Sequence, residues 1–221
     1  LQQHLQNISP SMVSRLELHK GKSPLFGKEG IDKEIEKSLR RRVWLKSGAY
    51  LIIEHTEAMV VIDVNSGRFV GKRAHEDNSL KINLEAARET ARQLRLRDIG
   101  GLIVIDFIDM QRSGNKKRIF HELRRELRKD RAKVAVSPIS DFGLLEMTRQ
   151  RIRLSLLHTL SEECPTCHGI GRVASKDTVI TRVDNWLRTY RKNNRDLRLK
   201  LIVHPSLEKY LNNSKKKVMR N

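Results

Sequence analysis

Apolar residues along this chain gather in two patterns. Short β-branched runs over Ala58–Asp63, Leu102–Ile108 and Val134–Val136 read as buried strands. Val43–Lys46 and Tyr50–Glu54 are also strand-like, and Ser47-Gly48 between them suits a hairpin turn. Other segments repeat at helical spacing. Ile31, Ile35 and Leu39 mark a helix over 31–41. Leu80, Leu84, Ala87, Ala91 and Leu94 lay one apolar stripe along a helix over 80–97, with Asn83 and Glu85 as its candidate start and Gly100-Gly101 as its end. A further helix, dense in Lys and Arg, is expected over 115–129. Strand alternating with helix predicts an α/β fold, a sheet with helices on its faces.

The flanks read differently. Residues 1–30 are polar and turn-rich, as a connecting segment would be. Residues 164–173 are compact and turn-like. Beyond them Val179, Val183, Trp186 and Leu187 suggest a helix, Leu199–Val203 a strand and Pro205–Leu211 another helix, before Lys215-Lys216-Lys217. That last piece is too small for much of a core and reads as the beginning of a further domain. No internal repeat is visible.

Charge narrows the class. The 221 residues hold 45 Lys plus Arg against 26 Asp plus Glu, a formal net charge of +19. Such an excess favours a polyanionic partner, nucleic acid before an anionic membrane surface. No apolar stretch reaches the length of a membrane span. The chain opens on Leu1 without a secretory pattern, and sequence upstream of it is expected. Two cysteines three apart do not make a secreted disulfide framework.

Against this background two aspartates stand out. Asp63 closes the run Val-Val-Ile-Asp and Asp106 closes Ile-Val-Ile-Asp. A carboxylate at the end of an apolar strand needs a partner, and Mg²⁺ needs only one or two carboxylates because it keeps several waters. In α/β sheets ligands gather at the carboxyl ends of strands, where these two aspartates could meet. Asn65, two residues past Asp63 and on the same strand face, could orient a carboxylate or a metal-bound water. The plainer alternative has both aspartates capping helices or pairing with arginines. Asp109, three residues after Asp106, is expected on the opposite face as a cap or salt-bridge partner.

Cys164-Pro-Thr-Cys167, followed by His168 and two glycines, is half of a zinc site. The remaining ligands would be His168 and another histidine, or two thiolates from a second chain. Cys-x-x-Cys-His is also the c-type haem attachment pattern, which the charge and the tight glycine turn disfavour. A redox pair is the third reading, without a clear helix N-terminus to support it. Arg68, Lys72 and Arg73, in a glycine-flanked loop, are candidate phosphate contacts. So are Arg149, Arg151 and Arg153, which alternate as on one face of a strand; a solvated basic face is the alternative for each. Aromatic residues make up only 5%, so no large base-stacking platform is evident. Neither a P-loop nor a dinucleotide fingerprint is present.

Longer stretches carry a resemblance. Val-Ile-Asp-Val-Asn-Ser-Gly at 61–67, Asn-Leu-Glu-Ala-Ala at 83–87, Arg-Gln-Leu-Arg-Leu-Arg-Asp-Ile-Gly-Gly at 92–101, Ile-Val-Ile-Asp-Phe-Ile-Asp-Met at 103–110, Arg131-Ala-Lys, the run from Phe142 to Arg151, and Cys-Pro-x-Cys resemble the ribonuclease E/G family of bacteria. The similarity covers roughly residues 30–173 and weakens afterwards. It implies a cytoplasmic, Mg²⁺-dependent, single-strand-specific endoribonuclease of RNA processing and decay, leaving 5′-monophosphate ends. On this likeness residues 1–40 match the end of an RNase H-like subdomain or connector and 41–160 a DNase I-like catalytic subdomain with a mixed sheet flanked by helices. Residues 161–174 match a zinc-link, and 175–221 part of a small α/β dimerisation domain. Asp63 and Asp106 match the Mg²⁺-binding aspartates and Asn65 their supporting asparagine. Cys164 and Cys167 match the zinc-link, in which two protomers of a homodimer or homotetramer share one Zn²⁺ and His168 is not a required ligand. The family's S1 RNA-binding domain and 5′-end sensor precede this region. A chain without them could hold the metal site yet bind and cleave RNA poorly, so a catalytically incomplete RNA-binding or assembly module is the second reading.

Overall fold

The computed structural model describes residues 1–67, 75–193, 200 and 202–214. They divide into two compact units, Leu1–Ser161 and Glu162–Asn221. The first is built on a six-stranded mixed sheet in the order β1-β2-β3-β4-β6-β5. Its strands are β1 (Arg42–Trp44), β2 (Tyr50–His55), β3 (Met59–Asn65), β4 (Gly101–Asp106), β5 (Val134–Val136) and β6 (Leu144–Arg149). All neighbours pair antiparallel except β3 and β4, which run parallel. A parallel pair needs a crossover, here the long helix α4 (His75–Leu96); α5 (Ser113–Leu127) then links β4 to β5. Helices come earlier too: α1 (Gln2–Ile8), a 3₁₀ turn at Pro10–Arg15, α2 (Leu25–Lys28) and α3 (Ile31–Leu39). The first thirty residues therefore carry short helices where a plain connector is expected, although they bury almost nothing.

The sheet is two-faced. Along β3 the alternate residues Val60, Ile62 and Val64 are buried while Met59, Val61, Asp63 and Asn65 are only partly covered. The inward set joins Leu51, Ile53, Ile103, Ile105, Leu145 and Met147 in one core with Ala87, Ala91 and Leu94 of α4 and Ile119 and Leu123 of α5. Each fully buried Leu or Ile contributes about 1.5–3 kcal/mol. Both long helices thus lie on the same face, rather than one on each. The reason is chirality: β3 to β4 and β4 to β5 step across the sheet in the same direction, and right-handed crossovers then fall on the same side. The other face, which neither long helix covers, carries Asp63, Asn65 and Asp106.

Helix α4 starts well before Asn83, so that residue is no cap. It is fully buried in mid-helix. On the opposite edge of α4, Glu85 accepts the backbone N–H of Lys46 at 2.6 Å, clasping the β1–β2 hairpin. The second unit holds the Cys164–Cys167 turn, α7 (Lys176–Asn193) and α8 (Pro205–Ser214). Short α6 (Leu156–Leu160) closes the first. Tyr210 of α8 donates its hydroxyl to Asp177 of α7 at 3.1 Å. The expected strand over Leu199–Val203 lies partly outside the described residues, and Ile202 and Val203 are in no strand.

Candidate active site

The register of the parallel pair sets Asp63 directly opposite Asp106. Side chains of directly paired residues emerge on the same face with Cβ atoms close together. Both strands end here, at Asn65 and Asp106, so the carboxylates stand at the carboxyl edge of the sheet, where helical crossovers leave room for a ligand. Asn65 donates its Nδ2 hydrogen to Asp63 Oδ2 at 2.7 Å. That bond fixes one oxygen of the Asp63 carboxylate. Gly67 follows at φ +64, and a Cβ there would come within 2.6 Å of the Gly48 carbonyl oxygen. The chain leaving Asn65 is thus pressed against the β1–β2 hairpin, which only glycine allows.

Burial, the charge of Asp63 and then that of Asp109 hold the Asp106 carboxyl above the ordinary aspartate range. Burial contributes most, and the neighbouring carboxylates of Asp63 and then Asp109 add to it, each disfavouring the charged form. Among the described residues, no lysine or arginine forms an ion pair with Asp63 or Asp106. Asp109 departs from expectation. Strand β4 stops at Asp106, so strict alternation no longer governs Asp109, and its charge reaches the pair.

Two residues to which the sequence assigned no place at the site, one of them read as a helix start, position this edge. Asn83 of α4 donates Nδ2 to the Ile108 carbonyl at 2.8 Å and accepts the Ile108 N–H at 3.0 Å. It replaces a strand partner for the segment just past Asp106. Glu76 accepts the N–H groups of Gln111 and Arg112, both at 3.1 Å, and Asn115 Nδ2 at 2.8 Å. Those hydrogen bonds hold its carboxyl below the ordinary range. An amide buried in a helix's apolar stripe was the available signal for Asn83; its placement beside Glu85 instead suggested a cap.

The basic candidates separate. Arg68, Lys72 and Arg73 lie outside the described residues. Arg149 is only 5% exposed, which leaves little of it for a phosphate. Its guanidinium grips Asp130 through Nε at 2.8 Å and Nη2 at 3.1 Å, and reaches Asp98 at 3.1 Å and the Ile99 carbonyl at 3.0 Å through Nη1. Register places Arg149 opposite Gly101, whereas Asp106 lies opposite Leu144. The whole of β4, roughly 17 Å, therefore separates it from the acidic pair. Strand β6 ends at Arg149, so the three arginines do not share a strand face. Arg151 lies against Gly100 and Gly101 at that same far end, and Arg153 pairs with Asp98. A concavity between α3, β1 and α4 is lined by Lys37, Arg40, Lys81, Arg88 and Arg92, and reaches Arg42 and Trp44 of β1.

Cys164 and Cys167 are free thiols, the first exposed and the second half-buried. A tight turn forms as the His168 N–H meets the Cys164 carbonyl at 2.8 Å and the Ile170 N–H meets that of Cys167 at 3.0 Å. The N–H groups of Cys167 and Thr166, in that order, hold the Cys164 thiol below its ordinary value. Amide donors aimed at a sulfur favour thiolate, the metal-binding form. Among the described residues no three His, Cys, Asp or Glu groups gather as a complete metal cage. Two thiolates are half a zinc site, and two carboxylates satisfy Mg²⁺.

Two carboxylates opposed at a sheet edge, on a strongly basic chain, point to a class: a candidate cation-dependent site for a polyanion. Sequence comparison specifies it. Residues 1–152 match the family model described as Ribonuclease E/G family. Ribonuclease G of Escherichia coli K12 is 49% identical over 170 residues, covering 77% of this chain and 35% of the relative. A chloroplastic ribonuclease E/G-like protein of Arabidopsis thaliana is 44% identical over 183 residues, 82% of this chain and 18% of its own length. Ribonuclease E of Haemophilus influenzae is 39% identical over 219 residues, 99% of this chain and 23% of its own. The chain belongs to the ribonuclease E/G family. It spans about a third or less of the length of these relatives. Among the described residues no helix is long and apolar enough to cross a membrane.

Proposed function

We propose that this chain carries the metal site of an Mg²⁺-dependent endoribonuclease that cuts single-stranded RNA in RNA processing and decay, including rRNA maturation and mRNA turnover, in the bacterial cytoplasm. The observation that carries this reading is the opposition of Asp63 and Asp106 at the ends of parallel strands, with Asn65 bonded to Asp63. The raised Asp106 carboxyl supports it, because burial and the charges of Asp63 and Asp109 all disfavour a bare carboxylate there, and a bound divalent cation would offset them. Bound there, Mg²⁺ would polarise the scissile phosphate and lower the pKa of a coordinated water. Asp63 and Asp106 supply the anionic oxygens, and Asn65 holds the Asp63 carboxylate in one orientation. Asn83 keeps the segment after Asp106 from shifting. In-line attack of water on phosphorus, with departure of the 3′-oxygen, leaves a 5′-monophosphate on the downstream product.

The sheet architecture suits a DNase I-like catalytic subdomain over residues 41–160, preceded by the end of an RNase H-like subdomain. Cys164 and Cys167 form half of a zinc-link completed by a second protomer, and residues 175–221 begin a small dimerisation domain, so the assembly is a homodimer or homotetramer. Because the chain spans only part of its relatives, a second reading is a catalytically incomplete module that binds RNA or supports assembly.

One experiment separates the readings. A 5′-monophosphorylated, A/U-rich single-stranded RNA is incubated with the chain, with and without Mg²⁺, beside Asp63→Asn and Asp106→Asn. Mg²⁺-dependent scission lost in both variants, with RNA binding retained, supports the enzyme. Salt-sensitive binding without scission, both here and in a protein extended upstream, supports the binding module.

A further inference from the structure

The sheet face away from the long helices holds more than the acidic pair. Strand register lines up Trp44, Tyr50 and Asn65 in one row across β1, β2 and β3. The next row along the same face holds Arg42, Ile52, Asp63 and Asp106. Trp44 and Tyr50 meet edge to face with ring centroids 5.2 Å apart. The Arg42 guanidinium covers both rings, at 4.5 Å from the Tyr50 centroid and 5.6 Å from that of Trp44. Trp44 nevertheless remains 63% exposed. An indole left open at a sheet edge, flanked by a cation and by a row that leads through Ile52 to two carboxylates, is not packed as core.

We propose that Arg42, Trp44 and Tyr50 form a stacking subsite for one unpaired RNA base, next to the phosphate held at Asp63 and Asp106. This rests on the nuclease reading above and adds to it a place for the base. Two strand spacings and one pleat repeat put Trp44 roughly 12 Å from Asp63, a short step along an RNA strand. An indole face accepts any base, since every base has a π-face, so the contact tolerates sequence. It does not tolerate pairing, because the faces of a base within a duplex are already covered by its neighbours. The subsite would thus select single strands directly beside the cut. Arg42 adds a planar cation that attracts the backbone and presses on the rings.

The test uses Trp186→Phe, which leaves Trp44 as the sole tryptophan. Its emission is followed while the chain is titrated, in EDTA, with an oligouridylate and with an abasic oligomer of equal length and charge. Binding is read in parallel by anisotropy. Saturable quenching by the oligouridylate alone is expected, with Trp44→Leu weakening its binding about tenfold or more and leaving the abasic oligomer unaffected. Tyr50→Ser, which retains the Trp44 reporter, should reduce both quenching and affinity. Oligouridylate binding without quenching, or equal losses for both oligomers in Trp44→Leu, overturns the subsite. The nuclease reading would then still stand on its own Mg²⁺-dependent scission. Failure of both oligomers to bind overturns the subsite and the RNA reading together.

Discussion

Replacing Arg149 with leucine separates a buried structural cation from a phosphate contact. Arg149 makes a two-pronged pair with Asp130, whose side chain is 3% exposed, and a further bond to Asp98, 11% exposed. In Arg149→Leu, Asp130 keeps only the Ala132 N–H at 3.0 Å, and its charge stays inside the protein. Removing one partner of a buried pair costs about 3–5 kcal/mol, a large share of the stability of a small domain. At a urea dependence of about 2 kcal/mol per molar, the unfolding midpoint should fall by about 2 M. Acid supplies an internal control. For both aspartates burial pulls the carboxyl up, but bonds from Arg149, joined by Arg153 at Asp98 and the Ala132 amide at Asp130, outweigh it and hold both below the ordinary range. Their contribution is therefore present above the unfolded aspartate pKa and is lost as pH falls through the folded values. Arg149→Leu should lose that contribution at neutral pH and differ less from the parent in acid, where protonation removes the stranded charge. Urea melts followed by circular dichroism at neutral and acidic pH would show this, and Arg149→Leu with Asp130→Asn should recover part of the loss. An unchanged midpoint, with RNA affinity reduced and its salt slope lowered by about one, would refute the reasoning and restore Arg149 as a phosphate ligand.

Other outcomes follow from the same geometry. Asn83→Leu leaves the Ile108 N–H and carbonyl without their partner; a loss of about 1–3 kcal/mol is expected, with cleavage falling further than binding as the segment after Asp106 shifts. Asp106→Asn should raise the urea midpoint in EDTA at neutral pH, since it removes a carboxylate held against Asp63 and Asp109, and an unchanged or lower midpoint would deny that repulsion. Cys164→Ser and Cys167→Ser should each abolish zinc binding, read by metal analysis, and shift the assembly toward monomer in light scattering. Retained zinc in either variant would point to other ligands.

Much of this fold was legible in the chain. The β-branched runs ending at Asp63 and Asp106, and the apolar stripe of α4, follow from periodicity, because burial of one face imposes a period of two on strands and near 3.6 on helices. The acidic pair and Asn65 stood out for a related reason: a carboxylate closing an apolar run is costly unless something partners it. Local pattern did not contain the pairing register or the direction of the crossovers. Those decide that Asp63 lies opposite Asp106, and that both long helices cover one face and not the other. They also decide that Arg149, which looks in sequence like any exposed arginine, is sealed between two aspartates at the wrong end of β4. Asn83 gave a polar signal that fits a cap and a buried clamp equally well, and only the segment packed against it distinguishes the two. Trp44 and Tyr50 make up little of a chain poor in aromatics, yet the β1–β2 pairing sets them side by side. Residue types and their spacing encode what each segment prefers to bury; which side chains meet depends on long-range strand pairing, which the tertiary structure alone supplies.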